Sequence, residues 1–492
     1  MSQPVYLLSP NARRDPTVVA AILFPAMAAG MGWGIRGQYG HETGAMIAGV
    51  LASLTLVVLF ASHFSSLAGA RAAALMAAAI GIGGSMTYGQ TVGLTHDREL
   101  IGNWEALRWG MLGLALKGGL WIGFGGVFLG MGLSGKRYRF LELVGVMLGL
   151  LGLYCLGIWL FNLPYDPDNK ILPKLYFSDH WYFEPNADLK PRREVWGGIL
   201  MAWFGVTLYT GFVRGDRLAW RLSFWGFLAG ALGFPGGQSL QSYHAWNSEA
   251  LAASRWNWLY SHFNWWNVME TAFGTIWGAV LGFGVWFSRR LIPDQSPPAE
   301  VALTPPWEVA LCAFHLFLLM ASDFHSKSIP NEILSWYTQW GLLMTVLPVV
   351  GSFGGRFWPY LMVLPVIAAP IVQKSMHAFH YGNPKLSLST SWFFVATIPL
   401  CILLYAATEF IQRSFRISPA RKFAAVSLLL TAWLYFGLNT VFFDYAWPWE
   451  KWGGRTPNQV YFMVCVIGLT ILAVRELFTQ DSSADPPSDV ET

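Results

Sequence analysis

Charge is what this sequence has least of. Asp, Glu, Lys and Arg make up 12% of its 492 residues, against roughly a quarter in a typical soluble domain. A chain this long and this poor in charge cannot coat a water-facing surface, so lipid is its solvent. Cysteine is scarce too. Cys155, Cys312, Cys401 and Cys465 stand singly inside apolar runs, which excludes a disulfide scaffold and any zinc-knuckle spacing. There is no concentrated basic patch. The net charge of +4 is spread over short loops, which argues against a nucleic-acid partner. A cleavable signal pattern is also missing: "NARRDPTVV" leads straight into a full apolar run, and Arg13-Arg14 reads as a cytoplasmic anchor rather than a twin-arginine address.

What the chain has instead is apolar length. It is 54% hydrophobic, with a mean hydropathy of +0.41. Runs long enough to cross a bilayer, roughly 17 to 25 residues, recur near 17–34, 44–64, 71–92, 106–132, 140–163, 195–213, 220–241, 266–288, 307–324, 336–351, 357–374, 391–411, 423–443 and 459–477. The expected fold is an all-α polytopic membrane protein of about fourteen transmembrane helices, with the lipid bilayer of the cell membrane as its first partner. Lys and Arg are retained in cytoplasmic loops. Staples such as Arg71, Lys136-Arg137, Arg289-Arg290 and Arg421-Lys422 therefore place both termini on the cytoplasmic side. With that orientation His41, His96, His180, His244, His262, His325, His377 and His380 all fall on the outer side.

Three Gly-Gln pairs stand at outer ends of apolar runs, in "IRGQYG", "TYGQTVG" and "PGGQSLQ", with Gln38, Gln90 and Gln238. Each is followed by a returning run that opens on a glutamate: Glu42, Glu105 and Glu270. Asn103-Trp104 and Asn264-Trp265 recur before the last two. Glycines at helical spacing follow, as small residues do where membrane helices approach closely. The expectation is a set of parallel two-helix repeats in the N-terminal half. The organisation drawn from this is an eight-helix core over 1–290, a cytoplasmic linker over 291–306, a six-helix bundle over 307–478, and a disordered acidic tail over 479–492.

The chemistry-bearing residues cluster at the outer tips. Arg36 follows the glycine-rich "GMGWGI", where exposed N–H groups beside a guanidinium suit an anion; snorkelling or pairing with Glu42 is the plainer alternative. Lys117 lies well inside a run, and an intramembrane charge calls for a partner, here from another helix or a cavity. Arg36, Gln38, Glu42, Gln90, Asn103, Trp104, Glu105, Lys117, Gln238, Gln241, Asn264, Trp265 and Asn267 are candidate substrate-binding residues. His41, His96, Asp97, His244 and Glu270 become acid/base candidates if the protein is an enzyme. No metal motif is present, and the residues indicate no particular cofactor. Asp166-Pro167-Asp168 resembles the acidic pairs that polytopic glycosyltransferases using lipid-linked sugars carry in outer loops, although a turn explains it as well.

These features point first to a permease for a small polar or anionic solute. The alternative is a membrane-embedded transferase or hydrolase acting at the outer face on a lipid-linked or sugar substrate, and the third is a structural subunit of a membrane complex. The tips predict three hairpins meeting at one polar cavity, whatever the oligomeric state.

Overall fold

The computed structural model describes residues 15–37, 39–40, 42–186, 188–323, 336–337, 340–376, 378, 387–416, 418–443 and 447–479. It is 78% helical, with no strand among the described residues. The expected acidic tail lies outside the described residues, apart from Thr479. The principal helices are α1 (Val18–Arg36), α2 (Thr43–Phe60), α3 (Ser66–Ile82), α4 (Gly89–His96), α5 (Trp104–Leu133), α6 (Phe140–Phe161), α7 (Trp196–Leu208) and α8 (Arg217–Trp246). They continue with α9 (Trp265–Ser288), α10 (Pro305–Asp323), α11 (Gly341–Gly354), α12 (Trp358–Met376), α13 (Leu388–Arg413), α14 (Ala420–Phe443) and α15 (Thr456–Phe478).

Among the described residues, eleven helices are long and apolar enough to cross a membrane: α1, α2, α3, α5, α6, α7, α9, α12, α13, α14 and α15. The other three expected runs are also helical. Of these, α10 and α11 are apolar but shorter, and α8 is 30 residues long with a polar end around Gln238–His244.

Apolar residues surround α2 and α3 on every side, and a helix that is apolar all round belongs in the interior. Both are buried along almost their whole length. They pack against each other, with α1, α5, α11, α12 and α14 around them. Two outer crossings are built on glycine. A Cβ at Gly274, Gly278 or Gly282 of α9 would collide with the carbonyl of Ala29, Pro25 or Ala21 of α1. Gly118 of α5 and Gly230 of α8 lie against each other's backbone in the same way. Backbones this close gain dispersion contact that larger side chains would prevent.

The third run departs from the continuous helix expected over 71–92. It ends at Ile82, passes through a 3-10 turn at Gly83–Ser85 and an extended Met86, and resumes as the short α4. Trp121 of α5 accounts for the break. Its ring fills the place a side chain at Gly83 would take, and its Nε1 donates to Ile80 O at 2.7 Å. Non-helical backbone inside an apolar bundle is tolerated because protein surrounds it.

The two ends of the bundle differ. At the end holding the 291–304 linker, Arg71 donates to the carbonyls of Glu300 and Gly355. The Glu308 carboxylate there accepts from the N–H groups of Arg356, Phe357 and Trp358 at 3.0, 2.7 and 2.9 Å. Asp216 accepts from Ser134 Oγ and Tyr138 Oη and caps α8. This staple end is closed by hydrogen bonds. The opposite end carries the 164–194 loop, and the polar residues of interest gather there.

Candidate functional site

Arg36 is the last residue of α1, and it is buried with its side chain aimed into the bundle. Its Nη2 donates to Tyr88 Oη at 2.8 Å and lies 3.5 Å from Glu270 Oε1. The guanidinium sits over the rings of Trp33, Trp121 and Tyr88, at 4.8, 5.4 and 5.5 Å from their centroids. Glu270, one turn into α9, also accepts from Trp266 Nε1 at 3.3 Å and Asn267 Nδ2 at 3.5 Å. Asn267 in turn donates to Gly34 O at 2.9 Å, and Asn458 of α15 donates to Asn267 O and Thr271 Oγ1. Gly37 is required beside this pair, since a Cβ there would overlap the Glu270 carboxylate. Two opposite charges removed from water hold each other only when further hydrogen bonds complete their shells, and these residues supply them.

A second buried pair stands behind the break between α3 and α4. Lys117 Nζ donates to Glu194 Oε1 at 2.6 Å, Thr91 Oγ1 at 2.7 Å and Thr87 O at 2.7 Å. Glu194 accepts as well from Phe177 N at 3.0 Å and Ser178 Oγ at 2.9 Å. The partner that Lys117 requires therefore comes from the end of the long loop, just before α7. The preceding residues form a strap fastened across the broken helix. Gln90 donates to Lys190 O and accepts from Arg192 N, both at 2.9 Å. Thr87 donates to Arg193 O at 3.0 Å, and Tyr176 to Arg192 O at 2.8 Å.

Between the strap, the break and α6 lies a cavity of about 940 Å³. Its walls include Glu42, Ser85, Thr87, Tyr88, Tyr154, Trp266, Trp336 and Trp340, with Arg192 and Arg193. Tyr88 links it directly to the Arg36–Glu270 pair. Both strap arginines are exposed, and among the described residues neither guanidinium is paired with a carboxylate. Lys374 of α12 braces the tip between α1 and α2, donating to Tyr39 O at 2.8 Å and Thr43 Oγ1 at 3.2 Å.

The structure brings Arg36, Glu42, Asn267 and Glu270 to this region. Gln38 and His41 lie outside the described residues, as do His325, His377 and His380. Gln90 serves the strap, whereas buried Gln238 donates to Thr95 Oγ1 of α4 at 2.8 Å. Gln241 is buried one turn further along α8. His96 Nε2 is 3.9 Å from Asp97 Oδ1 at the end of α4. His244 is stacked between Tyr260 and Trp265, at 4.9 and 4.4 Å. Asn103 and Asn264 cap α5 and α9, and Trp104 packs edge-on against Trp246. Glu105 is exposed on the outer flank of α5, lining a separate hollow.

Asp166 caps the 3-10 turn Pro167–Asn169. Hydrogen bonds from the Asn169 side chain and backbone hold its carboxyl below the usual range. Asp168 faces Lys190 at 3.1 Å, so the Asp-Pro-Asp stretch is a turn. Among the described residues no three of His, Cys, Asp and Glu gather as a metal set.

Tyr88, Thr91, Glu194, Arg192 and Arg193 escape sequence reasoning. The available signal was the unmatched Lys117 together with the "RRE" triplet that opens directly onto an apolar run. No known protein-family model, curated protein or solved structure matches the chain.

Proposed function

We propose that the protein is a permease for a small organic anion, with fourteen membrane crossings, both termini cytoplasmic and the cavity opening on the non-cytoplasmic side. The N-terminal eight helices are the transport core, built on parallel hairpins, and the C-terminal six buttress it. The like capping of α5 and α9 by Asn103 and Asn264 supports the repeat.

The observation that carries the proposal is the cavity itself. Its volume of about 940 Å³ is at the upper end for a small-molecule site, roughly 300–1,000 Å³. Its lining includes two guanidiniums that, among the described residues, have no carboxylate partner, and a buried Arg–Glu pair is joined to it through Tyr88. Arginine forks suit carboxylate and phosphate. A helix broken beside the site is the arrangement by which transporters expose backbone to a solute. Arg192 and Arg193 capture the anion, Thr87 and Tyr88 orient it, and Arg36–Glu270 is the bistable pair whose contacts change as the site turns inward.

The test is uptake by proteoliposomes from a panel of labelled carboxylates and organic phosphates. Saturable uptake of one class is expected, falling by about tenfold or more in Arg192→Gln/Arg193→Gln, as the loss of charge-assisted bonds predicts. Failure of every anion, or uptake indifferent to the double substitution, contradicts it.

A second possibility, an enzyme working at the non-cytoplasmic face on a lipid-linked or sugar substrate, is favoured by the one-sided gathering of polar groups. Its acid would be Glu42, because the described candidates His96, Asp97, His244 and Glu270 do not line the cavity, and His41 lies outside the described residues. Turnover of a lipid-linked sugar, lost in Glu42→Gln, would support it instead.

A further inference from the structure

A second hollow of about 370 Å³ lies on the outer flank of α5, away from the strap arginines. Glu105 and Arg108, one turn apart on α5, face Lys174 and Asp179 of the long loop across it. Asp179 accepts from Tyr182 N at 3.0 Å. Among the described residues none of these four groups enters an ion pair. Two charges of each sign thus surround one space without neutralising each other at contact.

The aromatic walls are held in place. Trp109 Nε1 donates to Tyr176 O at 3.0 Å and its ring lies 5.1 Å from Phe177. Tyr176 is anchored through its hydroxyl to the strap. Tyr182 and Phe183 meet edge-to-face at 4.9 Å on the opposite side. The hollow then runs one turn down α5 to Leu112, which is 54% exposed on a helix of membrane length.

A ligand for this space must carry both charges, offer a cation to aromatic faces, and continue as hydrocarbon. We infer that it is a headgroup site for a zwitterionic phospholipid of the leaflet at this end of the bundle. Arg108 and Lys174 take the phosphate. Glu105, Asp179 and the rings of Trp109 and Tyr182 take the ammonium, where cation–π attraction adds to charge. The acyl chains lie along Leu112. An anionic lipid would satisfy the cations and leave Glu105 and Asp179 opposed, so selectivity follows from the charge count. The site is independent of the permease proposal.

The experiment is native mass spectrometry of the full chain released from bilayers of equal phosphatidylethanolamine, phosphatidylcholine and phosphatidylglycerol. A zwitterionic lipid should be retained about tenfold over phosphatidylglycerol, a preference of about 1.4 kcal/mol. Arg108→Gln/Lys174→Gln should abolish that retention, and Glu105→Gln should shift it towards phosphatidylglycerol. Unchanged gel-filtration and thermal profiles would show that the variants are folded. Equal retention of the three lipids, or a preference surviving all three substitutions, overturns the inference. So does binding of soluble phosphoethanolamine, lost in the same variants, by a protein that retains no lipid.

Discussion

At the residue scale, two buried ion pairs join distant parts of the chain and could not be assigned by spacing. Arg36 and Glu270 are 234 positions apart and Lys117 and Glu194 are 77; only the folded chain brings each pair together. Removing one partner strands a charge away from water, at a cost of about 3–5 kcal/mol. Glu270→Met or Arg36→Met should therefore lower thermal stability in detergent markedly. Arg36→Met/Glu270→Met should recover most of the loss, because no lone charge remains. Thermal unfolding of the four proteins checks this, and a double variant as unstable as the sum of the singles would contradict it. Gly37→Ala should have a smaller effect of the same kind, since its Cβ displaces the Glu270 carboxylate while leaving both charges present.

At the scale of elements, the apolar runs were legible because hydrocarbon demands length and purity, and both are written locally. The glycine stripes were legible for a related reason, their spacing matching the helix period, as Gly274, Gly278 and Gly282 show. The break at Gly83 was not legible. It depends on Trp121, which is distant in sequence and sits in another helix, so the run 71–92 looks continuous when read alone. The strap was missed because its worth lies in backbone carbonyls, which carry no residue code. The tips misled in one respect: Gln90 and Gln238 look equivalent in their Gly-Gln settings, yet one fastens the strap and the other binds Thr95. Lys117→Met should loosen this strap by removing its central hydrogen-bond donor. Hydrogen exchange in 188–194 should accelerate more than that in α2 and α3, which feel only the global loss from the stranded Glu194; equal protection of 188–194 in both proteins would show that the latch is not what holds the segment. Gly230→Leu should instead separate α5 from α8 and destabilise the bundle as a whole, a loss visible as aggregation on gel filtration.

At the scale of the whole molecule, the contrast between ends is the informative feature. Hydrogen-bonded staples around Arg71, Glu308 and Asp216 close one end, and the other holds a cavity of about 940 Å³. A permease must at some point reverse that contrast; an enzyme of the outer face never needs to. The Arg36–Glu270 pair is placed where such a reversal would be felt, joining α1 to α9 beside the break between α3 and α4. Sided labelling decides the matter most directly. In a background with Cys155, Cys312, Cys401 and Cys465 replaced, a single Ser85→Cys substitution puts a thiol in the cavity wall. An impermeant thiol reagent is then applied to each face of sealed vesicles, with and without a transported anion. Alternating access predicts labelling from both faces, with the anion shifting the balance between them. Labelling from the cavity face alone, whatever the anion, would contradict transport and leave the outer-face enzyme as the better description.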